Sequence, residues 1–253
     1  MPPDLVFFLT TNPISWLAGY LLLYALGTNL AWWSRLSRLR PLIASFPLRG
    51  WFGEAARLVY CLILPYLALL RGVVTPQDMG LANLSWLRGL APAAGLTIGG
   101  FLLVGWGWSA LVRIAENYPF PENLALTASP WGWSYALRDA VYLQMSWAFC
   151  RAACMPSVGA YYGVFLGLGL LLLTGLTDPT VRVALTTPGK REGVLHTASL
   201  ALVTTLIYLF TGNLILCAVS HFVLQVAVAR WALSQYKLLT SEASEKGYLS
   251  SSG

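Results

Sequence analysis

The sequence predicts an all-α fold, a polytopic transmembrane helical bundle of about seven spans (six to eight). Three observations predict it. Hydrophobic residues fill 57% of the 253 positions and charged residues only 10%. The mean hydropathy is +0.64. The apolar residues are also gathered into stretches of about 20, the length that crosses a bilayer as a helix. A soluble domain carries about 25% charged residues. A chain with so few cannot cover a water-facing surface, so lipid must cover much of it.

The stretches follow in order. The first is 14–33, running from Ile14 to Trp32-Trp33, and residues 5–9 could extend it or form a short interfacial piece. The second is 54–70, which stops at Arg71. The third is 90–113, the fourth 131–154, the fifth 157–176, the sixth 193–211 and the seventh 213–235. Residues 1–236 therefore read as one transmembrane domain, and 237–253 as a polar tail disordered at its end. The linkers carry Pro, Asp and Arg: Thr75-Pro76-Gln77-Asp78, Pro119 and Pro121, Asp178-Pro179, and Pro188-Gly189-Lys190-Arg191. Met-Pro-Pro-Asp lacks the basic start of a cleavable signal, so the first span is expected to direct its own insertion.

The net charge of +6 is not a nucleic-acid signal, because no basic stripe is interleaved with exposed aromatics. The basic residues lie mainly in loops and at span ends. Loop 34–53 holds Arg35, Arg38, Arg40 and Arg49; loop 177–192 holds Arg182, Lys190 and Arg191; the tail holds Lys237 and Lys246. With seven spans these share one side, which predicts a cytoplasmic C-terminus. The setting that fits is a bacterial inner (plasma) membrane. The expected partners are membrane lipids and other membrane protein subunits, with no nucleic acid.

Eleven tryptophans are present. Trp32, Trp33, Trp51, Trp86, Trp131 and Trp133 sit near span ends, where an aromatic belt belongs, and Trp106, Trp108 and Trp147 lie deeper. Gly159, Gly163 and Gly167 recur at four-residue spacing, as do Gly95 and Gly99. Small residues so placed let helix backbones approach closely, either within the monomer or at a subunit contact. Cys61, Cys150, Cys154 and Cys217 all fall in apolar stretches and read as small buried residues. Two thiols four apart make a poor metal site, and none is expected.

The fourth span is the most polar and the candidate for function, since a charge at the bilayer centre costs about 2.5–3.5 kcal/mol on insertion scales. Asp139, Leu143, Ser146 and Cys150 share one helix face; Gln144, Trp147 and Arg151 share another. Arg138 and Arg151, about 20 Å apart along a helix, could snorkel to the two interfaces. His196 and His221 sit on the last two spans at depths about 12 Å apart, so they are not expected to clamp one metal or haem. His221 reads as a hydrogen-bonded core residue or as the ligand of a pigment or haem, the one cofactor-binding candidate. The cofactor itself is unknown.

The stretch Tyr208-Leu-Phe-Thr211-Gly212-Asn213-Leu214 through His221 to Gln225 resembles the last conserved block of the CAAX-protease and bacteriocin-processing (CPBP) family of intramembrane proteases. In that block a Thr-Gly-Asn-Leu turn precedes a helix bearing His, with Asn or Asp four residues later. Glu54 to Leu81 is similar to the family's early helix, and the resemblance covers about residues 50–235. The family's Glu-Glu-x-x-x-Arg motif corresponds to Ser146-Trp147-Ala-Phe-Cys-Arg151, which keeps the arginine and loses both glutamates. Its Phe-x-x-x-His motif corresponds to Phe165 and Gly169, and Gln225 stands where the Asn would be. Peptide hydrolysis needs a base for its water, and neither Ser146 nor Trp147 replaces a glutamate. The resemblance thus implies a protease-like scaffold with a disabled centre, acting as an accessory, scaffold or assembly subunit of a larger membrane complex. Two alternatives stay open. One is an active peptidase in which Asp139, Arg151 and His221 converge with Glu116 or Glu192. The other is a small transporter whose path is lined by Arg138, Asp139 and Arg151.

Overall fold

A computed structural model describes residues 11–36, 49–82, 85–114, 129–187 and 190–251. Every regular element among them is helical. In chain order they are α1 (Pro13–Leu36), α2 (Arg49–Leu58), a π-helical turn (Val59–Ile63), α3 (Leu64–Leu70), α4 (Trp86–Ile114), α5 (Gly132–Thr177), α6 (Pro179–Thr186), α7 (Arg191–Thr211) and α8 (Leu214–Ser251). Six helical stretches are long and apolar enough to cross a membrane, α2 to α3 counting as one. The 46-residue α5 is two spans in one element, which brings the crossings to seven. The protein is an all-α membrane bundle, and large apolar side chains such as Leu22, Leu30, Leu103 and Phe210 face outward. Lipid is the solvent that makes such a surface stable.

The two arms of α5 fold back on each other, and the sequence explains where. Pro156 removes a backbone donor in the last turn of the first arm. Gly159 then adopts φ 82° and ψ 164°, a conformation open in practice only to glycine. A side chain at Gly163 would meet Met155 Cα at 2.8 Å, and one at Gly167 would meet Arg151 Cα at 2.8 Å. Each pair is centred on Gly159, so the arms are antiparallel and nearly in backbone contact. Gly95 and Gly99 are different, with nothing within 4 Å of either. On α4 the close approach is made instead by Gly100, packed against Val203 of α7.

The first arm of α5 is the central post. Ala148, Phe149, Cys150, Ala152, Ala153 and Cys154 are buried against α1 and the α3 region. Helices α4, α7 and α8 pack against one another on the other side, and α5 packs on α1, α7 and α8. All four cysteines are buried and unpaired as thiols. Threading these helices through a bilayer puts the segment 71–82 and the turns at Gly159 and Gly212 on one face. The end of α1, α6 and Lys190 lie on the other, called here the basic face.

Three features differ from the sequence expectations. Segment 71–82 is not a free linker: Val73, Val74 and Met79 are buried, and Leu214 N donates to Gly80 O at 2.9 Å. Gly80 has φ 74°, and a Cβ there would lie 2.8 Å from Gly212 O, so only glycine fits. The loop after Thr177 contains α6, started by Asp178, whose side chain accepts from Thr180 N, with Pro179 in the first turn. Finally, α8 runs on to Ser251, through the stretch from Lys237 expected to be a disordered tail. That stretch holds three Leu, two Glu and two Lys, all good helix formers, among four Ser.

Candidate functional site: a polar cavity at the basic face

The polar face of α5 opens onto a cavity of about 1280 Å³ between α2, α5, α7 and α8. Its mouth is an ion-pair network. Arg57 Nη1 lies 2.9 Å from Asp139 Oδ1, Arg138 Nη1 lies 2.9 Å from Glu54 Oε2, and Arg138 Nη2 lies 3.3 Å from Asp139 Oδ1. Each guanidinium is also laid over a ring, Arg57 on Tyr142 and Arg138 on Tyr135. Among the described residues two cations answer two carboxylates, so this network carries no net charge. The groups are partly exposed, which limits what each pair adds to stability.

Deeper in, the lining changes to neutral polar groups: His196, Thr197, His221 and Gln225. His221 is fully buried, and a second span holds it on two sides. Gln144 Nε2 lies 3.1 Å from His221 Nδ1 and donates to Thr204 Oγ1 at 3.0 Å. Thr204 Oγ1 in turn donates to Leu200 O at 2.8 Å, so it accepts from Gln144. The amide nitrogen therefore faces both partners, His221 Nδ1 accepts, and the imidazole proton sits on Nε2. The Trp147 indole is stacked on the same ring, centroids 5.2 Å apart and planes 22° apart.

Polar atoms are left over here. His196 Nδ1 and Nε2, His221 Nε2 and Gln225 Oε1 are buried without a hydrogen-bond partner among the described residues. A buried polar group left unpaired costs about 1–3 kcal/mol, so such a cluster marks a place shaped for something else.

The residues singled out in the sequence separate into two places. Asp139 and His221 both line the cavity, with Asp139 at the mouth and His221 at the foot. His196 lines it too, from α7, so one cavity takes in both histidines. Arg151 is not part of it. Its guanidinium sits 4.3 Å over the Tyr208 ring on the far side of His221, only 2% exposed. It does not snorkel, because Gly167 holds the second arm against its backbone and the chain has no route outward. Tyr208 is itself fixed, its hydroxyl donating to Asp78 O at 2.5 Å. Glu192 is buried one turn before His196 and pairs with Arg191 at 2.9 Å. Glu116 lies outside the described residues. Among the described residues no three His, Cys, Asp or Glu side chains gather as a metal site.

Sequence reasoning had the face Gln144, Trp147 and Arg151 together but gave no partner for it. The signal for one existed: an amide and a histidine in separate apolar spans each need a hydrogen-bond partner, and in lipid the partner must come from another helix. No protein-family model, curated protein or solved structure matches this chain.

Proposed function

We propose that this protein is a non-catalytic, CPBP-like integral membrane protein that works by binding, as an accessory, scaffold or assembly subunit of a larger membrane complex. One observation carries the reading: the Trp147 indole lies flat against His221. In the CPBP resemblance this position belongs to a glutamate. A carboxylate beside the imidazole could take a proton from water, and an indole, a donor without basic character, cannot. The Nδ1 side of His221 is closed as well, by Gln144. The motif arginine supports the same view, since Arg151 faces Tyr208 rather than the cavity.

The protein sits in a bacterial plasma membrane with its C-terminus in the cytoplasm. The basic residues Arg35, Arg182, Lys190 and Arg191 on one face support that orientation. The cavity then opens to the cytoplasmic side of the bilayer.

A second reading has an observation of its own. Asp139, His196 and His221 line one cavity, as a divergent peptidase centre would require. One experiment separates the two. Wild type and His221→Ala are reconstituted in liposomes with a library of membrane-anchored peptides. The binding reading expects no cleavage by either protein and a His221→Ala variant that is less stable or assembles less well. Cleavage by wild type that disappears in a correctly folded His221→Ala variant would overturn it in favour of the peptidase.

A further inference from the structure

The polar cavity has a neighbour. A second, apolar groove of about 800 Å³ runs beside it, between α1, α5, α6 and α7. Leu143, Gly193 and Thr197 line both, so the two adjoin along these three residues. The groove is walled by leucines such as Leu171, Leu172, Leu176, Leu185 and Leu195. Leu172, Leu176 and Leu195 are 44%, 49% and 54% exposed, which leaves its outer side open to lipid. Polar atoms along it are tied to the protein: Tyr20 hydroxyl bonds Ser146 Oγ at 2.5 Å, Tyr24 donates to Asp178 at 3.3 Å, and Thr174 donates to Leu170 O at 2.6 Å. Apart from Lys190 at its edge, the groove offers mainly apolar chain contact.

The cavity end offers the opposite. His196 and His221 are 8% and 0% exposed, and three of their four ring nitrogens have no partner among the described residues. Gln225 Oε1 adds an unmet acceptor. The nearby charges cancel, with Arg57 and Arg138 answered by Asp139 and Glu54. Among the described residues that line the cavity, an anionic head would find no uncommitted cation. The two histidines present their unmet ring nitrogens from different helices, α7 and α8, so a head that meets both is polar at each end.

We propose that the adjoining cavity and groove bind a single-tailed amphiphile with an uncharged head, polar at both ends. The head sits between His196 and His221, and the tail lies in the leucine groove and reaches the bilayer. Isoprenoid quinones and monoacylglycerols share this chemistry: both carry carbonyl or hydroxyl groups at opposite ends of a small head. The assignment stands independently of whether the protein is a complex subunit.

The test uses the full chain in detergent micelles, titrated with decylubiquinone, 1-oleoylglycerol and oleate, with binding read by equilibrium dialysis. The expected result is saturable binding of at least one neutral probe, at least tenfold tighter than oleate; which one binds names the source. His196→Leu, which removes head partners but keeps the bulk, weakens that probe at least tenfold. Ala184→Trp, which fills the groove from its lipid side, does the same. Both variants must elute at the wild-type size and melt within a few degrees of it. No saturable binding of either neutral probe to wild type overturns the proposal, as does unchanged affinity in both folded variants. Oleate binding tightest would overturn it too, and would put an anionic head at Lys190, at the groove's edge.

Discussion

Gly167→Ala should loosen the α5 hairpin, although it replaces the poorest helix former after proline with the best. The Cβ would stand 2.8 Å from Arg151 Cα and 2.9 Å from Arg151 N, where ordinary contact begins at 3.4 Å. The obstacle is backbone, so no rotamer change relieves it, and the arms must part by about 0.6 Å, a gap that forfeits roughly a quarter of the dispersion well for each atom pair along the seam. Forcing a methylene into a well-packed core costs about 1–3 kcal/mol. The helix-propensity gain from Gly to Ala returns about 1 kcal/mol. The expected net is a loss of up to about 2 kcal/mol, and Gly163→Ala, facing Met155 Cα at 2.8 Å, should behave alike. Gly99→Ala is the control of opposite sign. It makes the same chemical change in a helix with nothing within 4 Å, so it should stabilise by up to about 1 kcal/mol. Unfolding of the purified protein in mixed detergent micelles, followed by circular dichroism, reads both. Equal stability of the Gly167→Ala and Gly99→Ala proteins would refute the reasoning.

Other outcomes follow from the same geometry. Asn213→Ala removes the Oδ1 that accepts from Ile215 N and Leu216 N at the start of α8, and should cost about 1 kcal/mol in the same unfolding assay. Gln144→Leu strips His221 Nδ1 of its partner in a buried site and should cost about 1–3 kcal/mol. Gln144→Glu should do better than the leucine if His221 takes up a proton to meet it, so a leucine variant as stable as the glutamate would count against the hydrogen-bond account. If the proposed orientation holds, green fluorescent protein fused after Gly253 should fluoresce and alkaline phosphatase fused there should be inactive; the reverse pattern would invert the orientation.

The spans were legible because lipid imposes a simple requirement, about 20 apolar residues with their backbone bonds satisfied inside the helix. The break between the fourth and fifth, read at residues 155–156, falls at Gly159, within what was read as the fifth span. The polar face of the fourth span was also legible, since helical periodicity alone puts Gln144, Trp147 and Arg151 in line. Segment 71–82 was not. Its buried residues, Val73, Val74 and Met79, follow no period, and a few apolar side chains among Thr, Pro, Gln and Asp read as a loop in water. What places them is the α7–α8 turn some 130 residues later, where Leu214 N donates to Gly80 O and the Tyr208 hydroxyl donates to Asp78 O. The cavity was illegible for a related reason. Its residues come from four helices, and periodicity within one helix carries no information about which neighbour it meets. His196 and His221 were expected at different depths, and nothing in their own spans indicated one cavity lined by both.

The most direct test of the account is gentle detergent extraction of the protein from its native membrane, with the particle sized and its companions identified by mass spectrometry. The account predicts a particle larger than a dimer of this 27.6 kDa chain, with at least one other membrane protein in fixed stoichiometry. A lone monomer or dimer that cleaves membrane-anchored peptides would contradict it.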